Sequence, residues 1–345
     1  MRDKLHIFMV LGLLLVLTAC GSKASNEADT GGVSDAGEKV EEITLKLGHV
    51  SATGDTHMDV ASNLFKEEVE KASNGQIKVQ IYPSAQLGGE RDMMESVATG
   101  TVEMSLMTTL TFDSQTPAFN GLSFPFLFEN NEQFNKILHG ETMKKAFASL
   151  DDLNLHALGV ISGGIRHFGT TEKPVLSLDD MKGLKMRAAE NQMITDSYKE
   201  LGTVPVTVPY ADMFSAVQTG VVDGLSFDLH TWYSEGFYEL IDHISLVNDM
   251  PIAAVLVMNL NLYNSLSDEQ RKIINEASEK MESYMVEKLQ EFESTAIDKL
   301  KELNIEIHNN VDTTLFKGKM EPIYKKYGEK HPLIQGVIDE VNALK

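Results

Sequence analysis

Ser177-Leu178-Asp179-Asp180-Met181-Lys182-Gly183-Leu184-Lys185-Met186-Arg187 has a capped turn of helix, a glycine break and then an alternating run that would form a short strand. The strand would end on an arginine. A residue at the carboxyl end of a strand in an open α/β sheet faces the crevice where such sheets bind ligands. The guanidinium is always charged, and its planar fork of donors matches both oxygens of a carboxylate. Downstream, Gln218-Thr219-Gly220-Val221-Val222-Asp223-Gly224 forms a second glycine-punctuated turn leading into another apolar segment. Together these stretches predict anion recognition rather than catalysis. An arginine ending a strand is also commonly a solvated or salt-bridged residue.

Outward from this block, short apolar runs alternate with helical patterns, the signature of an α/β architecture. Strands are expected at Ile43 to Val50, Ile77 to Tyr82, Thr101 to Met107, Leu155 to Ile161 and Val255 to Met258. Asp59 to Ala72 reads as a helix with Val60, Leu64 and Val69 on its apolar face. Ser267 followed by Gln270 is a capping-box pattern. It opens a long helix on which Ile273, Ile274, Ala277, Met281, Tyr284, Met285, Leu289, Phe292, Ala296 and Leu300 recur at helical spacing. The apolar seam does not keep the strict heptad of a coiled coil.

The amino terminus reads as an export signal. Arg2 and Lys4 precede the apolar run Leu5 to Leu17, which is shorter than the about 20 residues of a membrane-spanning helix. Leu17-Thr18-Ala19-Cys20 resembles a lipobox, so residues 1–19 read as a signal peptide and Cys20 as the lipidated first residue of the mature chain. Cys20 is the single cysteine, which excludes an intrachain disulfide. Residues 20–42 carry almost no large apolar side chains and would form a flexible tether. An uncleaved anchor with a chance cysteine is the alternative.

The formal net charge of -21 over 345 residues argues against nucleic acid as a partner, since that needs a clustered basic surface. An anionic ligand must then be attracted by arginines close to it, because the long-range repulsion is screened beyond roughly 8 Å. His156, His167, His230 and His243 show no zinc-protease spacing, and neither a nucleophile elbow nor a phosphate loop is present. No cofactor or metal is expected. A lyase or isomerase using Asp228 and His230 is the enzymatic alternative.

Several stretches, in order, resemble the solute-binding proteins of tripartite ATP-independent periplasmic (TRAP) transporters. They are Leu45-Lys46-Leu47-Gly48-His49, Tyr82 to Met93, Phe124-Pro125-Phe126-Leu127-Phe128, Gly164-Ile165-Arg166-His167-Phe168, Gly183 to Arg187 and Ala216 to Gly224. The resemblance runs from residue 43 to about 340. It implies a periplasmic-binding-protein-like fold with two α/β lobes around a ligand cleft and a long bracing helix. Lobe 1 would comprise 43–163 plus about 252–291, and lobe 2 would comprise 164–251 plus about 292–345. The two lobes would close on the ligand about a hinge.

The resemblance also implies roles. Arg187 would clamp a substrate carboxylate and Arg166 would support it, while Val50, Gly89, Glu90, Met107, Thr108, Glu190, Tyr210 and Ala253 fall at pocket positions. Many members carry Gln-Glu-Asn-Pro after the Asp-Gly pair, where this chain has Leu225, Ser226, Phe227 and Asp228. Phe227 replaces a polar donor with apolar surface. Asp228 would then either accept from a ligand hydroxyl or ammonium or pair with Arg166. His49, His57, Trp232 and Tyr233 are candidates for the rim, with the core as the alternative for Trp232. A pocket poor in hydrogen-bonding groups rejects heavily hydroxylated ligands, since each buried unpaired hydroxyl costs on the order of 1–3 kcal/mol. The expectation is a monomeric, lipid-anchored extracytoplasmic protein that hands a small organic anion to a TRAP-type permease. The binding protein of another importer or of a sensor would differ only in its partner.

Overall fold

The computed structural model describes residues 42–112 and 115–344. The expected signal peptide 1–19, Cys20 and the tether up to residue 41 lie outside the described residues. Among the described residues no helix is long and apolar enough to cross a membrane.

The first sheet has the strand order β2-β1-β3-β10-β4. Its strands are β1 (Ile43–Gly48), β2 (Ile77–Tyr82), β3 (Met104–Thr108), β4 (Leu155–Ile165) and β10 (Pro251–Asn259). β1 pairs in parallel with β2 and β3, and β10 runs antiparallel between β3 and β4. β2 alternates Ile77 and Val79 inward with Lys78 and Gln80 outward. β10 is buried along its whole length, as a continuous apolar run in mid-sheet should be.

The second sheet has the order β11-β9-β5-β8-β6-β7. Its strands are β5 (His167–Thr170), β6 (Lys185–Ala188), β7 (Val204–Thr207), β8 (Gly224–Phe227), β9 (His243–Ser245) and β11 (Glu306–His308). The chain passes from β4 to β5 through a single residue, Arg166, and returns through Asn248-Asp249-Met250 into β10. The two crossings are bonded to each other. Arg166 N–H donates to the Met250 carbonyl at 2.8 Å, and Asp249 N–H donates to the Arg166 carbonyl at 2.8 Å.

The Gln218 to Gly224 turn sets the register of the second sheet. The Asp223 carboxylate accepts from Lys185 N–H at 3.1 Å, and Asp223 N–H donates back to the Lys185 carbonyl at 2.8 Å. A Cβ on Gly224 would lie 2.6 Å from Met186 Sδ, so only glycine lets β8 lie this close to β6. This pairing fixes the ends of β6 and β8, which carry Arg187 and Phe227.

The long helix runs Asp268–Glu302 from a capping box in which Ser267 and Gln270 bond reciprocally. Ile274, Ala277, Met281 and Met285 are buried in the cluster that includes the first sheet, whereas Ala296 and Leu300 belong to the cluster under the second. One helix therefore packs on both sheets. Tyr284, expected on its apolar face, is 37% exposed, because the buried stripe passes through Met281 and Met285 instead. The helix His57–Ala72 likewise buries Met58, Ala61, Phe65 and Val69, while Val60 and Leu64 flank this stripe half-buried.

The C-terminal segment does not stay with the second sheet as expected from its position after residue 292. β11 does join that sheet, but the helix Pro332–Ala343 packs on residues 117–148. There Val337 faces Gly121 and Glu340 accepts from the Thr142 hydroxyl.

Candidate functional site

A cavity of about 580 Å³ opens between elements of the two sheets. From the first sheet's side come Val50, Gly89, Glu90, Thr108 and Ala253; from the second come Arg166, Arg187, Glu190, Tyr210, Phe227 and Asp228. Met107, expected here, does not line it. Successive residues of a strand face opposite sides, and with Thr108 turned to the cavity Met107 is fully buried in the core.

Arg187 ends the alternation of β6 and is 9% exposed. Its Nε donates to the Val208 carbonyl at 3.0 Å, which fixes the side chain. Burial, and after it the nearby charge of Arg166, lowers its pKa to about 10. It stays cationic at neutral pH, against an electrostatic cost that an anion would relieve.

Arg166 is 8% exposed, and its Nε has no hydrogen-bond partner among the described residues. Its guanidinium carbon lies 5.3 Å from the centre of the Phe227 ring. Phe227 is clamped in turn. It stacks on Phe237 at 4.7 Å and meets the edge of Trp232 at 5.3 Å. Trp232 is fully buried core, and a Cβ on Gly169 would run into its indole. Tyr233 stacks with Tyr238 and does not line the cavity.

Asp228 caps the helix Leu229–Ser234, accepting from Thr231 N–H at 2.9 Å and from the Thr231 hydroxyl at 2.6 Å. Its side-chain partner across the cavity is the His57 ring, with Nε2 3.1 Å away, and not Arg166 as one sequence alternative had it. Burial alone would raise the Asp228 pKa, but His57 and the Thr231 hydrogen bonds outweigh it and hold the carboxyl down at about 2. His57 lines the cavity; His49 is buried away from it, 3.3 Å from Asp59. His230 places its Nε2 2.5 Å from the Asp55 carbonyl and stacks on Phe292, outside the cavity lining. The Asp228 and His230 side chains thus do not converge on the cavity as an acid-base pair would have to.

The remaining acids are also bonded to the protein. Glu90 accepts from Thr108 N–H at 2.6 Å and from the hydroxyls of Thr108 and Thr111 at 2.7 and 2.9 Å. Glu190 is half-exposed and faces Arg91, which donates to the Glu190 carbonyl at 2.7 Å. Glu235 accepts from Ala52 N–H across the cleft at 3.1 Å. Burial pushes its pKa up, opposed by hydrogen bonds from Ala52, Ser51 and Tyr210. The sequence reading missed Glu235, Thr111 and Thr231. Thr231 lies in the short helix Leu229–Ser234 and Glu235 caps its C-terminus, a four-residue spacing too common to single them out.

The profile of the bacterial extracellular solute-binding proteins, family 7 (DctP), matches residues 47–331. The C4-dicarboxylate-binding periplasmic protein DctP of Rhodobacter capsulatus is 26% identical over 69% of this chain and 71% of its own. A TRAP periplasmic solute-binding protein of Polaromonas, crystallised with D-erythronate, is 28% identical over 88% of this chain and 99% of its own, with a TM-score of 0.83. One from Bordetella, with density interpreted as pantoate, is 28% identical over 86% and 99%, with a TM-score of 0.82. Over most of its length, with the same two-sheet fold, the chain belongs to the DctP family, the family 7 extracellular solute-binding proteins.

Proposed function

We propose that the protein captures a small organic acid by its carboxylate, held between Arg187 and Arg166, and delivers it chemically unchanged to a TRAP-type permease. The observation that carries this reading is the pair of buried guanidiniums. Arg166 adds to the electrostatic cost of burying Arg187 at one cavity wall, and among the described residues neither makes an ion pair with a protein carboxylate. A ligand carboxylate would supply that charge with bidentate hydrogen bonds. The acids named with the Polaromonas and Bordetella relatives belong to the same chemical class.

The cavity favours a small, partly apolar acid over a heavily hydroxylated one. Glu90, Asp228 and Glu235 already accept from protein donors, and Val50, Ile161, Ile252, Ala253 and Phe227 contribute apolar wall. Native mass spectrometry of the purified protein, with identification of the acid released on denaturation, tests the reading. A neutral or cationic ligand, or an acid recovered transformed, would refute it.

Lobe 1 (43–163 with about 252–291, and the helix Pro332–Ala343 packed on it) and lobe 2 (164–251 with about 292–331) would hinge at the paired crossings beside Arg166. A diacylglycerol on Cys20 and a fatty acid on its amine would give the several chains that stable anchoring needs. Cys20→Ser is then expected to move the protein, as a monomer, from the membrane to the soluble fraction with ligand affinity intact. Unaltered membrane retention would remove the lipid anchor from the reading.

A further inference from the structure

Far along the second sheet, outside the cavity lining, β9 and the edge strand β11 pair in parallel with His243 opposite Glu306 and Ser245 opposite His308. Glu306 and His308 are two residues apart on one strand, so their side chains share a face, and register puts His243 on the same face. The intervening Ile307 and Ile244 point the other way and pack on the apolar cluster under the sheet. A three-residue pair of strands thus presents two imidazoles and a carboxylate side by side.

Their ligand atoms converge. His243 Nδ1 is 3.3 Å from Glu306 Oε2 and 3.3 Å from His308 Nε2, and His308 Nε2 is 3.7 Å from Glu306 Oε2. Zinc bonds of about 2.0–2.1 Å in a tetrahedron place neighbouring ligand atoms about 3.3–3.4 Å apart. A hydrogen bond between the two imidazoles accounts for one of the three separations, and a histidine-carboxylate pair for another. A single cation at the common vertex matches the two 3.3 Å separations as they stand and would draw the 3.7 Å pair in by a few tenths of an ångström, a shift the largely exposed Glu306 side chain can make. The side chains of His243 and His308 are 16% and 24% exposed and that of Glu306 is 65% exposed, so the site can be reached from solvent with a fourth position open to water.

We propose that His243, Glu306 and His308 form a divalent-metal site, best suited to Zn²⁺. Imidazole nitrogens and one carboxylate make a borderline donor set that suits zinc better than the oxygen-seeking Ca²⁺ or Mg²⁺. The metal would staple the edge strand β11 to β9. β11 follows directly on the long helix that packs against both sheets, so the staple would fasten the helix's far end to the second sheet. A three-residue edge strand has few ladder bonds of its own to hold it.

The test uses tag-free protein stripped with a chelator and titrated with Zn²⁺. One equivalent is expected to bind and to raise the melting temperature by a few degrees at saturation, reversibly on chelation. The double variant His243→Gln, His308→Gln is expected to lose at least tenfold in Zn²⁺ affinity and the thermal shift with it. No stoichiometric binding by the wild type, or unchanged affinity in the folded double variant, would overturn the site. Should that variant fail to fold, X-ray absorption on the zinc-loaded wild type decides: two imidazoles in the shell are expected, and a shell without them refutes the proposal.

Discussion

Arg187 is held by a backbone carbonyl rather than by a carboxylate, which leaves the ends of its guanidinium to the cavity. Arg187→Lys keeps the charge but loses the fork, so ligand affinity is expected to fall already in that variant. Arg187→Ala is expected to cost about 2–5 kcal/mol of binding, the range for truncating one member of a buried charge pair. Titration calorimetry with the native acid measures both, and near-equal affinity of wild type and Arg187→Ala would sink the site. Beside Arg166, Asp249 is buried and accepts from the Tyr198 hydroxyl at 2.8 Å and the Ser226 hydroxyl at 2.7 Å. Burial raises its pKa to about 6, against these hydrogen bonds and the pull of Arg166. The folded state therefore holds this proton more tightly than the unfolded chain, whose carboxyl titrates near 3.9. Asp249's contribution to stability falls as pH rises from about 4 to about 6 and is level above, a loss on the order of 2–3 kcal/mol. Relative to Asp249→Asn, the wild type is expected to lose stability between pH 4.5 and pH 7.5 in denaturant melts; an equal difference at both pH values would contradict this. The sequence marked Arg187 because it ends a strand-like run, whereas Arg166 and Phe227 were marked only by the family resemblance. It could not show that Asp228 would meet His57, since that contact depends on how elements 171 residues apart come together.

Among the elements, the long helix was the most legible, because a capping box and a sustained 3.6-residue period are local signals. The exact stripe was less so: Tyr284 falls beside the buried line, and a stripe's edge is decided by what packs against it. The decisive contact is with β4. A Cβ on Gly159 would run into Ser278 Oγ, and the Glu282 carboxylate accepts from Val160 N–H, so the helix lies directly on the strand. Gly159→Val is expected to force helix and sheet apart and cost about 1–3 kcal/mol. Met281→Ala, which leaves a cavity in the same contact, is expected to cost about 2–5 kcal/mol. Chemical denaturation measures both, and a wild-type midpoint for either variant would mean that the helix is not seated there. The short elements β9 and β11 escaped sequence reading altogether, since three residues carry too little periodicity to register.

For the whole molecule, the sequence showed strands alternating with helices, and the family resemblance implied two lobes around a cleft, but neither showed how the cleft is held. Several bonds cross it: Ala52 N–H to Glu235, Arg91 to the Glu190 carbonyl, and His57 to Asp228. The Arg91 pair is solvated at the rim and contributes little, about 0–1 kcal/mol. Glu235 is different, because its carboxylate is withdrawn from water and fixed by donors from both sides of the cleft. In the proposed hinge motion, its protein partners would favour closure without ligand. Glu235→Ala removes the bond to Ala52 and the one to Tyr210, so the ligand-free variant is expected to open, with a larger radius of gyration in solution scattering. Ligand must then supply the closing free energy itself, and apparent affinity falls by the fraction of closed molecules lost. At saturating ligand the variant and wild type are expected to converge on one compact radius, smaller than that of the ligand-free variant. A ligand-free radius unchanged by Glu235→Ala, together with unchanged affinity, would show that the bonds across the mouth do not govern closure.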